Sequence, residues 1–146
     1  MANSVDPMPD PDQLDDDPND STDEAAVRAA NQAFYDAFEA RDLDAMSEVW
    51  EHSDRVSCTH PGWRTLRGWG AVSGSWFALF GGPSPLQFIL TDAVVAVAGD
   101  AAWVTVDENL ISAEGGGTVA ALNLFVREAG RWRLVSHLGS AVAQQT

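Results

Sequence analysis

The chain has no lysine: all eight basic residues are arginines, set against 22 acidic residues for a net charge of −14. They form no cluster, and a surface of this sign repels nucleic acid and anionic membranes, which argues against both as partners. A single cysteine, Cys58, leaves nothing for an internal disulfide and fits a reducing compartment. No stretch approaches the roughly 20 apolar residues of a membrane span, and the N-terminus has neither a basic nor an apolar leader segment. The expectation is a soluble, cytoplasmic protein. There is no G-x-S-x-G elbow, and Gly115-Gly116-Gly117 lies between strand-like runs, where it reads as a turn instead of a phosphate loop. His52, His60, His137 and Cys58 lack the paired spacing of a zinc site, so neither metal nor cofactor is expected.

What is present is unevenly spread. Nine of the acidic residues precede the first base, Arg28, and leave about −5 on the rest of the chain. Residues 1–20 also carry four prolines and almost no apolar side chains, too little to offset the entropy of ordering them. They are expected to be a disordered acidic tail, followed by one domain over residues 21–146.

Within the domain, Ser21-Thr22-Asp23-Glu24 matches a capping box, and Val27, Ala30, Phe34 and Phe38 then recur at helical spacing up to Ala40. Asp42 is placed to cap a second, short helix. Val56 to His60 alternates as a strand and ends at Pro61-Gly62. Trp69, Val72, Trp76, Leu79 and Phe80 give a third helix closed by Gly81-Gly82-Pro83. From Leu86 the period changes to two, in four runs at about 86–98, 101–112, 118–128 and 132–142 joined by glycine-containing turns. Helices followed by an antiparallel meander make an α+β domain.

That order of elements resembles the nuclear transport factor 2-like superfamily, whose cone-shaped, cystatin-like fold packs N-terminal helices in a curved antiparallel sheet. The resemblance rests on Ala40-Arg41-Asp42-Leu43-Asp44, on Cys58-x-x-Pro61, and on Asn123-Leu124-Phe125 with Gly130-Arg131-Trp132-Arg133-Leu134-Val135. It points to the SnoaL-like branch. Ketosteroid isomerases, in the same superfamily, carry a general-base Asp just before the corresponding proline, which implies His60 as a base here. Their oxyanion hole pairs a helix-1 tyrosine with a protonated late-strand Asp. These positions look like Phe34, which cannot donate a hydrogen bond, and Asn123, whose amide can at any pH.

Alternation adds the lining. Pairing Ala113 with Gly117 sets Asp107 opposite Asn123, and pairing Glu128 with Trp132 sets Asn123 opposite His137. The inner face would then hold Trp103, Asp107, Asn123, Phe125 and His137. The opposite assignment remains open, since Glu108 sits among Val104, Val106 and Leu110; a two-residue hairpin at Ala129-Gly130 would also shift the last register. Trp63 and Trp76 would supply further apolar wall. The expected function is cofactor-free acid/base catalysis, of isomerase, cyclase or dehydratase type, on a small hydrophobic carbonyl compound. His60 would be base, Asn123 polariser, and His137 with Asp107 the supporting pair. A non-catalytic ligand-binding or oligomerisation module is the alternative. The outer sheet face, too apolar for water, is expected to bury itself in a homodimer.

Overall fold

The computed structural model describes residues 18–83, 85–112 and 115–143. The expected acidic tail falls outside these residues except at its end, because the first helix, α1 (Pro18–Ala40), starts at Pro18. Ser21 therefore lies within the helix and is not its cap. Proline suits a first turn, since its missing N–H would have no intrahelical partner there.

Arg41, in the left-handed region at φ 55°, turns the chain out of α1. Asp42 then accepts from the Ala45 amide at 3.1 Å and caps α2 (Leu43–Val49), as its place in the sequence predicts. β1 (Ser57–Thr59) and the two-residue β2 (Leu66–Arg67), which alternation did not reveal, flank the Pro61-Gly62 turn. α3 (Trp69–Phe80) follows Gly68, and β3 (Gln87–Ala98), β4 (Ala101–Ile111), β5 (Gly117–Glu128) and β6 (Arg131–Ala141) complete the chain. The strands form one open, six-stranded sheet in the order β2-β1-β6-β5-β4-β3. β1 runs parallel to β6, and the other neighbours are antiparallel. α1 lies across β3, β4 and β6, and its apolar stripe, with Val27 and Phe34 fully buried, fills the concave side together with Trp50, Trp76 and Phe125.

Register decides which side chains enter that core. β4 and β5 pair Leu110 with Gly117 and Val104 with Asn123, three residues away from the pairing that would set Asp107 against Asn123. An odd shift turns a strand over. Val104, Val106 and Glu108 accordingly face inward, while Trp103, 39% exposed, and Asp107 lie on the outer side. At the last hairpin the chain takes the two-residue turn Ala129-Gly130, both residues at positive φ, as a type I′ turn requires. That alone would displace His137. A bulge restores it: Phe125 pairs with Leu134 and Leu124 with Ser136, so Val135 is the extra residue, and Asn123 meets His137 as expected.

Because α2 is a seven-residue helix that cannot sustain itself by propensity, its cap should be felt in the stability of the whole domain. Asp42→Ala is expected to lower unfolding free energy by about 1 kcal/mol, read from urea melts, with Asp42→Asn close to wild type.

Candidate functional site

Asn123 is fully buried at the middle of β5, and the groups that satisfy it define the site. Its Nδ2 donates to Asn31 Oδ1 at 2.9 Å and to Tyr35 Oη at 3.1 Å, both from α1. Its Oδ1 lies 2.5 Å from His137 Nδ1 across the β5–β6 ladder. Tyr35 in turn donates to Glu108 Oε2 at 2.6 Å. The network thus runs from Glu108 on β4, through α1 and β5, to His137 on β6, with Glu108, Asn31 and His137 all more than nine-tenths buried.

His60 sits just past β1 in a second, adjoining cluster. Its Nε2 is 2.9 Å from Ser75 Oγ, and Ser75 spends its one hydroxyl hydrogen on the Val72 carbonyl at 2.6 Å. The Ser75 oxygen therefore accepts, which sets the His60 proton on Nε2. By the same logic Asn123 Oδ1 can only accept, which sets the His137 proton on Nδ1. The two histidines are held as opposite tautomers. Trp76, 1% exposed, stands against both rings, at 4.8 Å and 6.3 Å between centroids. Phe34 packs on His137 at 4.9 Å, and Trp63 meets His60 edge-on at 4.8 Å although it is 44% exposed.

Burial separates the acid/base properties of these groups. It pushes the Glu108 carboxyl up to about 7, against a smaller downward pull from the Tyr35 hydrogen bond. It pushes His60 down to about 4, and His137 down to about 3 with a further contribution from His60. The Tyr35 hydroxyl is raised well above its usual value, first by burial and then by Glu108. Cys58, buried beneath the same residues, is pushed up to about 12 and stays a thiol. At neutral pH the interior therefore holds two uncharged imidazoles and one carboxyl near its midpoint.

The structure corrects the sequence reading at several points. Asp107, expected to support His137, lies on the outer face, and Glu108 is the carboxylate inside. Trp103 is on the outer face too and lines no interior wall. His60, Asn123, His137, Phe34, Phe125 and Trp76 come together in the core. Asn31, Tyr35 and Ser75 were missed. Tyr35 is the chain's sole tyrosine and follows Phe34, so the hydroxyl that looked absent from helix 1 is supplied one residue on. Among the described residues no group of three or more His, Cys, Asp or Glu side chains could hold a metal ion.

Two surface grooves lie outside this network. One of about 600 Å³ runs between α1, α2 and the start of β6, and one of about 280 Å³ lies between α2 and α3. The second has Trp76 in its wall, the same side chain that stands against both histidine rings.

A SnoaL-like domain profile matches residues 27–144. The chain belongs to the SnoaL-like family. Within that family's wider fold, a candidate dehydratase of the nuclear transport factor 2-like family from Streptomyces avermitilis is 39% identical, with a TM-score of 0.79 over 86% of this chain and 99% of that one. A candidate calcium/calmodulin-dependent protein kinase type II association domain from Thiobacillus denitrificans is 38% identical, with a TM-score of 0.73 over 80% of this chain and 94% of that one. The F-box protein SKIP8 of Arabidopsis thaliana is 30% identical over 117 residues, which is 80% of this chain but 50% of SKIP8. The SnoaL-like chain thus spans about half the length of that curated relative. No helix among its described residues is long and apolar enough to cross a membrane.

The opposed titrations fix a pH signature. A carboxyl raised when folded contributes stability that is complete below its unfolded value near 4.5 and is lost as pH rises towards about 7. A histidine lowered when folded contributes stability that is complete above 6.5 and is lost as pH falls towards about 4 for His60 and about 3 for His137. Two histidines outweigh one carboxyl below 6.5, so unfolding free energy should fall steeply on acidification and only weakly from pH 6.5 to 8. Urea midpoints across pH 4.5–8 check this. Glu108→Gln should abolish the decline on the alkaline side, about 1 kcal/mol above pH 6.5, and His137→Gln should nearly flatten the acid slope, because the remaining histidine and the carboxyl then oppose each other almost equally.

Proposed function

We propose that the interior of this SnoaL-like domain is a cofactor-free acid/base site for a small hydrophobic carbonyl compound, acting as an isomerase, cyclase or dehydratase. The observation that carries the reading is the Glu108–Tyr35–Asn123–His137 chain: a carboxyl near its midpoint at neutral pH, linked through two hydrogen-bonding groups to an imidazole held neutral. A general acid or base works best when its pKa lies near the operating pH, and Glu108 meets that condition as the proton carrier. Neutral His137, with its lone pair on Nε2, is an acceptor. Tyr35 and Asn123 hold the two ends of the chain in place, Tyr35 by its bond to Glu108 and Asn123 by its bond to His137. His60 keeps its lone pair on Nδ1, since Nε2–H is engaged by Ser75, and is the second base. Phe34, Trp76 and Phe125 are the apolar side chains of the core around this chain, and a guest admitted among them would be flat and apolar. Likeness to the Streptomyces candidate dehydratase agrees with this class of chemistry; likeness to the Thiobacillus candidate association domain favours a non-catalytic binding or oligomerisation module instead.

A homodimer through the outer sheet face belongs to the same reading. Val94, Thr105, Leu122 and Leu138 lie directly opposite one another across β3, β4, β5 and β6. Val94, Leu122 and Leu138 are 62%, 39% and 44% exposed, and Trp103 lies on the same side. A contiguous apolar row of this kind is unfavourable in water, and a second copy presents a matching one.

Two measurements test these points. Proton abstraction next to a carbonyl exchanges that hydrogen with solvent, so a panel of cyclic ketones in D₂O, followed by proton NMR, reports acid/base chemistry without a known product. Wild type should accelerate exchange for some of the panel, and Glu108→Gln should lose on the order of a hundredfold or more. Absence of exchange above buffer, with a defined higher oligomer, would move the reading to the association module. Sedimentation should show a dimer that Leu122→Asp converts to monomer.

A further inference from the structure

The buried chain has a direction. A tyrosine hydroxyl can donate or accept, and an asparagine amide can be turned to present either its oxygen or its nitrogen, so neither middle member chooses for itself. The choice is made at the ends. An ionised carboxylate only accepts, so Tyr35 gives its hydrogen to Glu108 Oε2. The Tyr35 oxygen is then left to accept from Asn123 Nδ2, with Asn31 Oδ1 accepting the other N–H of the same amide. Both N–H bonds point to α1, Asn123 Oδ1 faces β6, and His137 must donate from Nδ1.

We propose that the Glu108 carboxylate dictates, through Tyr35 and Asn123, which ring nitrogen of His137 carries the proton. Tyr35 and Asn123 are thus positioning residues: they carry an instruction from one acid/base group to another across the breadth of the core. When Glu108 takes up a proton from solvent, its O–H can donate to Tyr35, and the reversed chain becomes available. Tyr35 then donates to the Asn123 oxygen, the Asn31 amide turns so that its N–H meets the same oxygen, and the Asn123 N–H turns to His137 Nδ1. The ring loses the Nδ1 proton to water and gains one on Nε2 from water. The net uptake is the single proton on Glu108.

The surroundings isolate this effect. Glu108 is faced by Tyr35 from α1 and electrostatically by Cys58 from β1. His137 is faced by His60, with Phe34 and Trp76 as uncharged walls. Of these titratable groups only Glu108 changes charge between about pH 5.5 and 9. His60 belongs to the separate Ser75–Val72 cluster and should keep its proton on Nε2 throughout.

The bearing of this device on chemistry rests on the acid/base reading above, but the tautomer is observable without any substrate. The test is two-bond proton–nitrogen correlation spectroscopy on full-length protein labelled with ¹⁵N-histidine, recorded at pH 5.5 and pH 9. Wild-type His137 should be the Nδ1–H tautomer at pH 9, with the tautomer ratio moving towards Nε2–H by up to about tenfold at pH 5.5, the effect of one hydrogen bond. In Tyr35→Phe and in Glu108→Gln the ratio should be independent of pH, with the unchanged His60 pattern showing that each variant is folded. A wild-type His137 ratio that is the same at both pH values overturns the proposal, as does a pH response that survives in Tyr35→Phe. Loss of ketone exchange with this coupling intact would overturn the acid/base reading alone.

Discussion

The full burial of one amide, that of Asn123, is the constraint on which the rest of the site depends. An unpartnered polar group there would cost roughly 1–3 kcal/mol, and an amide brings two N–H bonds and an oxygen to be satisfied. Each partner comes from a different place in the chain: Asn31 and Tyr35 from α1, His137 from β6. The amide therefore fixes more than its own energy. It sets the rotation of α1 about its axis, because Asn31 and Tyr35 sit one helical turn apart on the side that also buries Val27 and Phe34. It also requires β5 and β6 to be in one register, because a slip of one residue would exchange His137 for an outward neighbour.

That requirement explains the irregularity in β6. The tightest turn between β5 and β6, Ala129-Gly130, is set one residue away from the register that brings His137 to Asn123. Val135 absorbs the difference as a bulge, and both Leu134 and Val135 end up buried. Local turn geometry and the demands of the core are reconciled by one extra residue instead of a longer loop. β3 has a comparable irregularity between Thr91 and Val94, with Asp92 at φ 57°, and beyond it Val94 still aligns with Thr105, Leu122 and Leu138. Bulges in this sheet shift side chains between faces while the ladder continues.

The same facts show what the sequence makes legible. Helices and strands with strong periodicity are readable to within a residue or two, as α3 and the four long strands show, because each period is set locally by backbone geometry. The two-residue β2 has no period to display. The pairing between strands is a property of loops, and the segment around Gly115-Gly116-Gly117 admits more than one closure; choosing wrongly by three residues put Asp107 inside in place of Glu108. The apolar neighbours Val104, Val106 and Leu110 were the signal for Glu108, since alternation assigns a whole strand face at once. The resemblance points to Phe34, and Tyr35, its neighbour, is the helix-1 residue that carries a hydroxyl into the core. Its burial was implied by helical spacing, which places residue 35 beside residues 31 and 38 on a stripe already known to be apolar.

A site built this way ties chemistry to stability. The groups that shift farthest from their ordinary titration are those whose burial the fold enforces, and the shifts run in opposite senses for the carboxyl and the imidazoles. Burial without charge compensation keeps the imidazoles uncharged and brings the carboxyl to its midpoint near neutral pH, so the core holds a polar chain without an ion pair. The acidic exterior sits outside this arrangement: Asp107 faces away, and the carboxylates of the described surface are paired, where they are paired, with arginines such as Arg127 and Arg55. Sheet alternation thus sorts two adjacent carboxylates, Asp107 and Glu108, into a solvent charge and an interior proton carrier, and the residue that distinguishes them is the single tyrosine on α1 that meets only the second.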